Sequence, residues 1–154
     1  MNQMSNPEHE KVLAALYSIT QVDEAGYLFI APVIHDWAVV EQNGIDTVID
    51  LEGGLDLGVP TEPEQVLYVY FHIYDDGLPN LHKLDGLADL GADLVRSGHR
   101  VLAHCGMGLN RSALVAGVIL HKLGMPGPKA VRQLRAKRPG ALFNETFATY
   151  LASL

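Results

Sequence analysis

Val101-Leu102-Ala103-His104-Cys105-Gly106-Met107-Gly108-Leu109-Asn110-Arg111-Ser112 opens as a short apolar strand and closes on the first residues of a strongly apolar helix running to Leu123. A strand, a glycine-bearing loop and a helix N-terminus, in that order, turn unpaired backbone N–H groups and the positive helix end into one concavity. That setting suits a phosphate dianion. It also decides the fold class, because a buried strand feeding a buried helix is the building unit of an α/β sheet.

Cys105 would sit at the floor of this concavity. The surrounding N–H groups and the nearby guanidinium of Arg111 favour the thiolate over the thiol, which makes Cys105 a candidate nucleophile. Five residues separate it from Arg111, enough for one loop around a tetrahedral group, and only arginine offers a fork for bidentate contact with phosphate oxygens. Gly106 and Gly108 allow backbone angles closed to other residues, so the amides of Gly106, Met107, Gly108, Leu109 and Asn110 can turn inward. The Ser112 hydroxyl is close enough in sequence to bond the sulfur and ease its departure later. His104 precedes the nucleophile as a supporting residue.

Working outward, the elements alternate. Pro7 to Ile19 reads as a helix, Tyr27 to Ile30 as a strand, and Asp36 as the cap of a helix that stops at Asn43-Gly44. Ile45 to Leu51 reads as a buried strand. Glu52 to Gln65 carries three glycines, two prolines and several acids and is expected to be a surface loop. Val66 to Ile73 is an aromatic strand, and Asn80 caps a helix through Val95 with Leu84, Leu87, Ala88, Leu90 and Leu94 facing inward. Pro128 suits the first turn of another helix ending near Pro139, and Asn144 can cap a last one. The expected architecture is a small central sheet with helices on both faces, in a single domain over residues 1–154 whose first six residues are disordered.

The chain has 154 residues, 48% of them hydrophobic, which supports one sizeable core. No apolar run is long enough for a bilayer, so no membrane role is expected, and a lone cysteine fits a cytoplasmic setting. Net charge is −7, yet residues 1–82 hold fourteen acids and one base while residues 83–154 hold four acids and ten bases. An acidic total argues against an extended nucleic-acid surface, while the basic half leaves room for a phosphorylated ligand. The cations Lys129, Arg132, Arg135, Lys137 and Arg138 read as a solvated helix face. His72, His82, His99 and His121 lack ligand-like grouping, and neither a metal nor a cofactor is expected.

These residues resemble the dual-specificity branch of the protein tyrosine phosphatases, whose signature is His-Cys-x-x-Gly-x-x-Arg-Ser/Thr. Gly44 to Leu51 looks like that family's early strand, Ile73 to Pro79 like its general-acid loop, and Arg138 to Phe147 like the entry to its C-terminal helix. The resemblance covers most of the chain from about Tyr27 onward and implies a small mixed sheet of four to five strands flanked by helices. Met107 stands where many members carry alanine, and Asn110 precedes the arginine as in relatives acting on RNA 5′-phosphates.

Displacing an alkoxide calls for an acid beside the site, and the turn offers Asp75 and Asp76. The family's aspartate with proline four places later matches Asp75 and Pro79, while aspartate before Gly77 readily shapes a turn, which would suffice for Asp76. The implied activity is hydrolysis of phosphate monoesters through a phosphocysteine, on phosphotyrosine and also on phosphoserine or phosphothreonine of a protein. RNA 5′-phosphates, phosphoinositides or small phosphate esters are the alternative substrates, and a silent phospho-ligand-binding module is the alternative from another class. A nucleotide-binding P-loop is set aside because no lysine lies between Arg100 and Lys122. A monomer is assumed.

Overall fold

In a computed structural model, which describes residues 6–16 and 18–154, the chain runs α1 (Pro7–Leu16), β1 (Thr20–Gln21), β2 (Leu28–Ala31), α2 (Trp37–Gln42), β3 (Thr47–Asp50) and β4 (Leu67–Tyr70). It continues through α3 (Leu81–Arg96), β5 (Val101–His104), α4 (Arg111–Lys122), α5 (Gly127–Lys137) and α6 (Glu145–Ala152). Residues 1–5, all of which fall in the segment expected to be disordered, lie outside the described residues.

The five strands form one sheet in the order β1-β2-β5-β3-β4. β2, β5, β3 and β4 are mutually parallel, and only the two-residue β1 runs antiparallel at the edge, so the sheet is mixed. β2, β3 and β5 are buried at every position, as expected of strands covered on both faces. The period of two divides their side chains. Leu28, Ile30, Ile49, Val101, Ala103 and Cys105 join the core under α3 to α6. Phe29, Ala31, Val48 and Leu102 join the opposite core under α2, with Trp37, Val66 and Tyr68.

Caps fix where the helices begin. Asp36, Asn80 and Asn144 accept the amides of Ala38, Lys83 and Phe147 at 2.9, 3.0 and 3.2 Å. Gly98, just beyond α3, takes the left-handed φ of +84° that ends it.

Two expectations need correction, and one strand is new. The strand Thr20–Gln21 is absent from the sequence reading because two residues show no period. The first helix stops at Leu16, short of Ile19. Leu90 is 39% exposed and does not face inward: the inner stripe of α3 is Leu84, Leu87, Ala88, Gly91 and Ala92, and a residue six places after Leu84 falls on the far side.

Candidate active site

Parallel strands bring β2, β5 and β3 to a common C-terminal edge, the edge where open α/β sheets bind ligands. The loop 104–111 leaves β5 at that edge and is held from outside by its own carbonyls. The His104 oxygen accepts from the Leu51 amide at 3.0 Å, Gly106 from Val33 at 3.4 Å, Leu109 from Leu142 at 2.8 Å, and Met107 from the Arg138 Nη2 at 3.0 Å. With the Gly106, Met107 and Leu109 carbonyls turned out, the trans amides that follow them turn in, whereas the Cys105 amide donates to the Ala31 carbonyl at 3.2 Å and continues the ladder with β2. α4 then starts at Arg111 with no side-chain cap, unlike α2, α3 and α6, so its first amides remain open to an anion.

Gly108 makes this curl possible. Its φ is +67°, and a Cβ there would lie 2.5 Å from the Ala31 carbonyl carbon and 2.6 Å from the Pro32 nitrogen. Only glycine lets the loop press against the end of β2.

Cys105 lies at the floor, 2% exposed. Its Sγ accepts from the Gly108 amide at 3.2 Å and lies 3.4 Å from the Ser112 Oγ, itself fully buried. Arg111 returns to the cup: its Nη2 donates to Glu52 Oε2 at 2.8 Å and its Nη1 to the Ile73 carbonyl at 3.2 Å. Burial raises the Glu52 carboxyl, but the Gly53 amide and the Arg111 guanidinium outweigh it and hold the group below its ordinary value. The 52–65 segment therefore flanks the cup.

Asp75 is tied to this loop. Its Oδ2 accepts from Asn110 Nδ2 at 2.9 Å and its Oδ1 from Asn144 Nδ2 at 2.9 Å. Asn110 is 2% exposed and also accepts the Asn144 amide at 2.9 Å, so its side chain faces Asp75 while its backbone lines the cup. Asp76 offers Asn144 only a backbone carbonyl, at 3.0 Å. Met107 is 62% exposed at the mouth.

Three residues that sequence reasoning left out complete the arrangement. Glu52 holds Arg111. Asp56 bonds His104 Nε2 at 2.6 Å. Arg138, expected on a solvated helix face, is instead 4% exposed just past α5, donating to Thr20 Oγ1 at 3.1 Å as well as to Met107. Burial lowers the pKa of its guanidinium, an effect that the charge of Cys105 opposes. Only position at the C-terminal strand edge could have marked Glu52, and no local signal marks the other two. Lys129, Arg132, Arg135 and Lys137 are exposed, as expected. His72, His82 and His99 lie at the surface, and His121 bonds the Met125 carbonyl at 2.9 Å.

No family model matches the chain. It is 31% identical over 97 residues to dual specificity protein phosphatase 1 of Arabidopsis thaliana, covering 62% of this chain, and it spans about half the length of that relative. Human DUSP28 superposes with a TM-score of 0.73 at 21% identity, over 88% of this chain and 90% of that one. A variant of Tk-PTP gives a TM-score of 0.69 at 25% identity, over 88% and 95%. The chain resembles the dual-specificity phosphatases and has their fold. Within the dual-specificity phosphatase fold, Cys105 occupies the turn from the central strand into the helix behind it. Among the described residues no helix is long and apolar enough to cross a membrane.

Proposed function

We propose that this chain is a cysteine-dependent phosphatase acting on phosphate monoesters of proteins, phosphotyrosine first, with phosphoserine and phosphothreonine also admitted. The convergence of Cys105, Ser112, Arg111 and an Asp75 tied to the same loop carries this reading. The Cys105 thiolate attacks phosphorus as the ester P–O bond breaks, and Asp75 gives its proton to the departing oxygen. Each Asp75 oxygen accepts one amide hydrogen and keeps a lone pair for that proton. Inward amides and Arg111 stabilise the equatorial oxygens. Asp75 then takes a proton from water, the water oxygen bonds phosphorus, and the P–S bond breaks with Ser112 donating to the leaving thiolate.

The reading favours proteins over RNA or phosphoinositides because Glu52 stands at the mouth and the interior of the loop, Gly106 to Asn110, carries no lysine or arginine for additional phosphates. Asn110 fits this view, since its side chain is occupied by Asp75.

Hydrolysis of p-nitrophenyl phosphate in EDTA tests it, with wild type beside Cys105→Ser and vanadate as inhibitor. Turnover is expected in wild type alone, blocked by vanadate. Turnover retained by Cys105→Ser, or an inactive folded wild type, refutes the assignment. Asp75→Ala should slow alkyl phosphates more than p-nitrophenyl phosphate, and an effect confined to Asp76→Ala would move the acid to that residue.

A further inference from the structure

The loop between β3 and β4 touches both ends of the phosphate-binding loop. Glu52 reaches Arg111 at the far end, and Asp56 reaches His104, peptide-bonded to Cys105, at the near end. This loop is itself fastened to the sheet and to α2. The Tyr68 hydroxyl accepts the Asp56 amide at 2.8 Å, the Tyr70 hydroxyl accepts the Gly54 amide at 3.1 Å, and Trp37 Nε1 donates to the Leu57 carbonyl at 2.9 Å.

His104 is wholly buried. Asp50 is its register partner on β3, and the period of two turns both side chains away from Cys105, toward the α2 face. The groups facing the ring are Asp50, Asp56 and, through its bond to Asp50, the Tyr68 hydroxyl. Among the described residues Nδ1 has no partner, so the ring is oriented through Nε2 alone. There Asp56 Oδ2 stands at 2.6 Å, whereas Asp50 Oδ1, at 3.6 Å, lies beyond hydrogen-bond reach. Burial pushes the Asp56 carboxyl above its ordinary value, with His104 opposing and Asp50 adding.

The geometry points to Asp56 as a positioning residue: it anchors the His104 ring through Nε2 and so holds the peptide that presents Cys105 to the phosphate-binding amides. The inference rests on Cys105 as the nucleophile. Without the anchor, the Gly108 amide at 3.2 Å from Sγ and its neighbours lose register with the sulfur, and the thiolate loses its stabilisation.

Cys105 is the chain's one cysteine, so iodoacetamide reports on it alone. Asp56→Ala is expected to shift the midpoint of alkylation against pH upward and to lower kcat on p-nitrophenyl phosphate about tenfold with little change in KM, the scale of a small misplacement of a reacting group. Asp56→Asn keeps an oxygen for the Nε2 proton and is expected to stay near wild type in both. A folded Asp56→Ala protein with wild-type midpoint and kcat, a downward shift, or an Asp56→Asn protein that behaves like the alanine variant overturns the inference. Asp56→Ser, polar but too short to reach the ring, replaces alanine if that chain does not fold. Alkylation needs no substrate: an inactive wild type whose midpoint still responds to Asp56→Ala refutes the phosphatase reading and leaves the anchor standing.

Discussion

The Asn144 side chain has two duties at once: its Nδ2 donates to the Asp75 carboxylate at 2.9 Å while its Oδ1 accepts the Phe147 amide at 3.2 Å and caps α6. The start of the last helix and the placement of the proposed acid are thus one contact. Asn144→Ala should cost about 1 kcal/mol through the lost cap, lowering Tm by roughly 2–4 °C. Asn144→Ser keeps a capping oxygen but cannot reach Asp75, and should restore Tm while alkyl phosphates remain poor substrates. Paired melting curves and leaving-group profiles check this.

Glu52 links the cup to pH. Its folded carboxyl lies below the ordinary 4.5, so its contribution to stability is present above that value and lost as pH falls through the lower folded value. Glu52→Gln should flatten the acid limb of Tm against pH in that window, lowering Tm slightly at neutral pH, where the contribution of the carboxylate is present, and converging with wild type as pH falls. The side chain is 34% exposed, so screening keeps the effect small.

Gly108→Ala should be far worse than an alanine at an ordinary turn. The left-handed φ alone costs about 1–2 kcal/mol, and the contact with the Ala31–Pro32 peptide forces the loop to move. Loss of vanadate binding together with a lowered Tm is the expected result, read by calorimetry.

Arg138 holds the loop from behind. Arg138→Met keeps much of the volume but leaves the Met107 carbonyl and the Thr20 hydroxyl without their donor, at about 1–3 kcal/mol each. Activity on p-nitrophenyl phosphate should fall although the residue lies outside the cup. Arg138→Lys, a cation without the fork, should recover only part of it.

What the sequence made legible was local. The strand–loop–helix around Cys105, the caps Asp36, Asn80 and Asn144, and the three buried strands all follow from spacing within a few residues. Glu52 and Arg111, His104 and Asp56, and Arg138 and Met107 are 59, 48 and 31 residues apart, and no periodicity encodes such pairings. Arg138 escapes the sequence for the same reason: at the end of a cationic helix it continues the pattern of Lys129 to Lys137, and only the approach of the loop 104–111 buries it. Leu90 shows the converse, an apolar residue at a position that helical geometry turns away from the core.

β5 lies mid-sheet, with parallel neighbours on both sides that were synthesised long before it. Such distant pairing closes late in folding, because loop-closure entropy opposes it until much of the sheet is in place. The cup at the end of β5 therefore has no existence in a half-assembled chain. Competence for phosphate should arrive in step with global folding rather than ahead of it, and denaturant should remove both in a single transition.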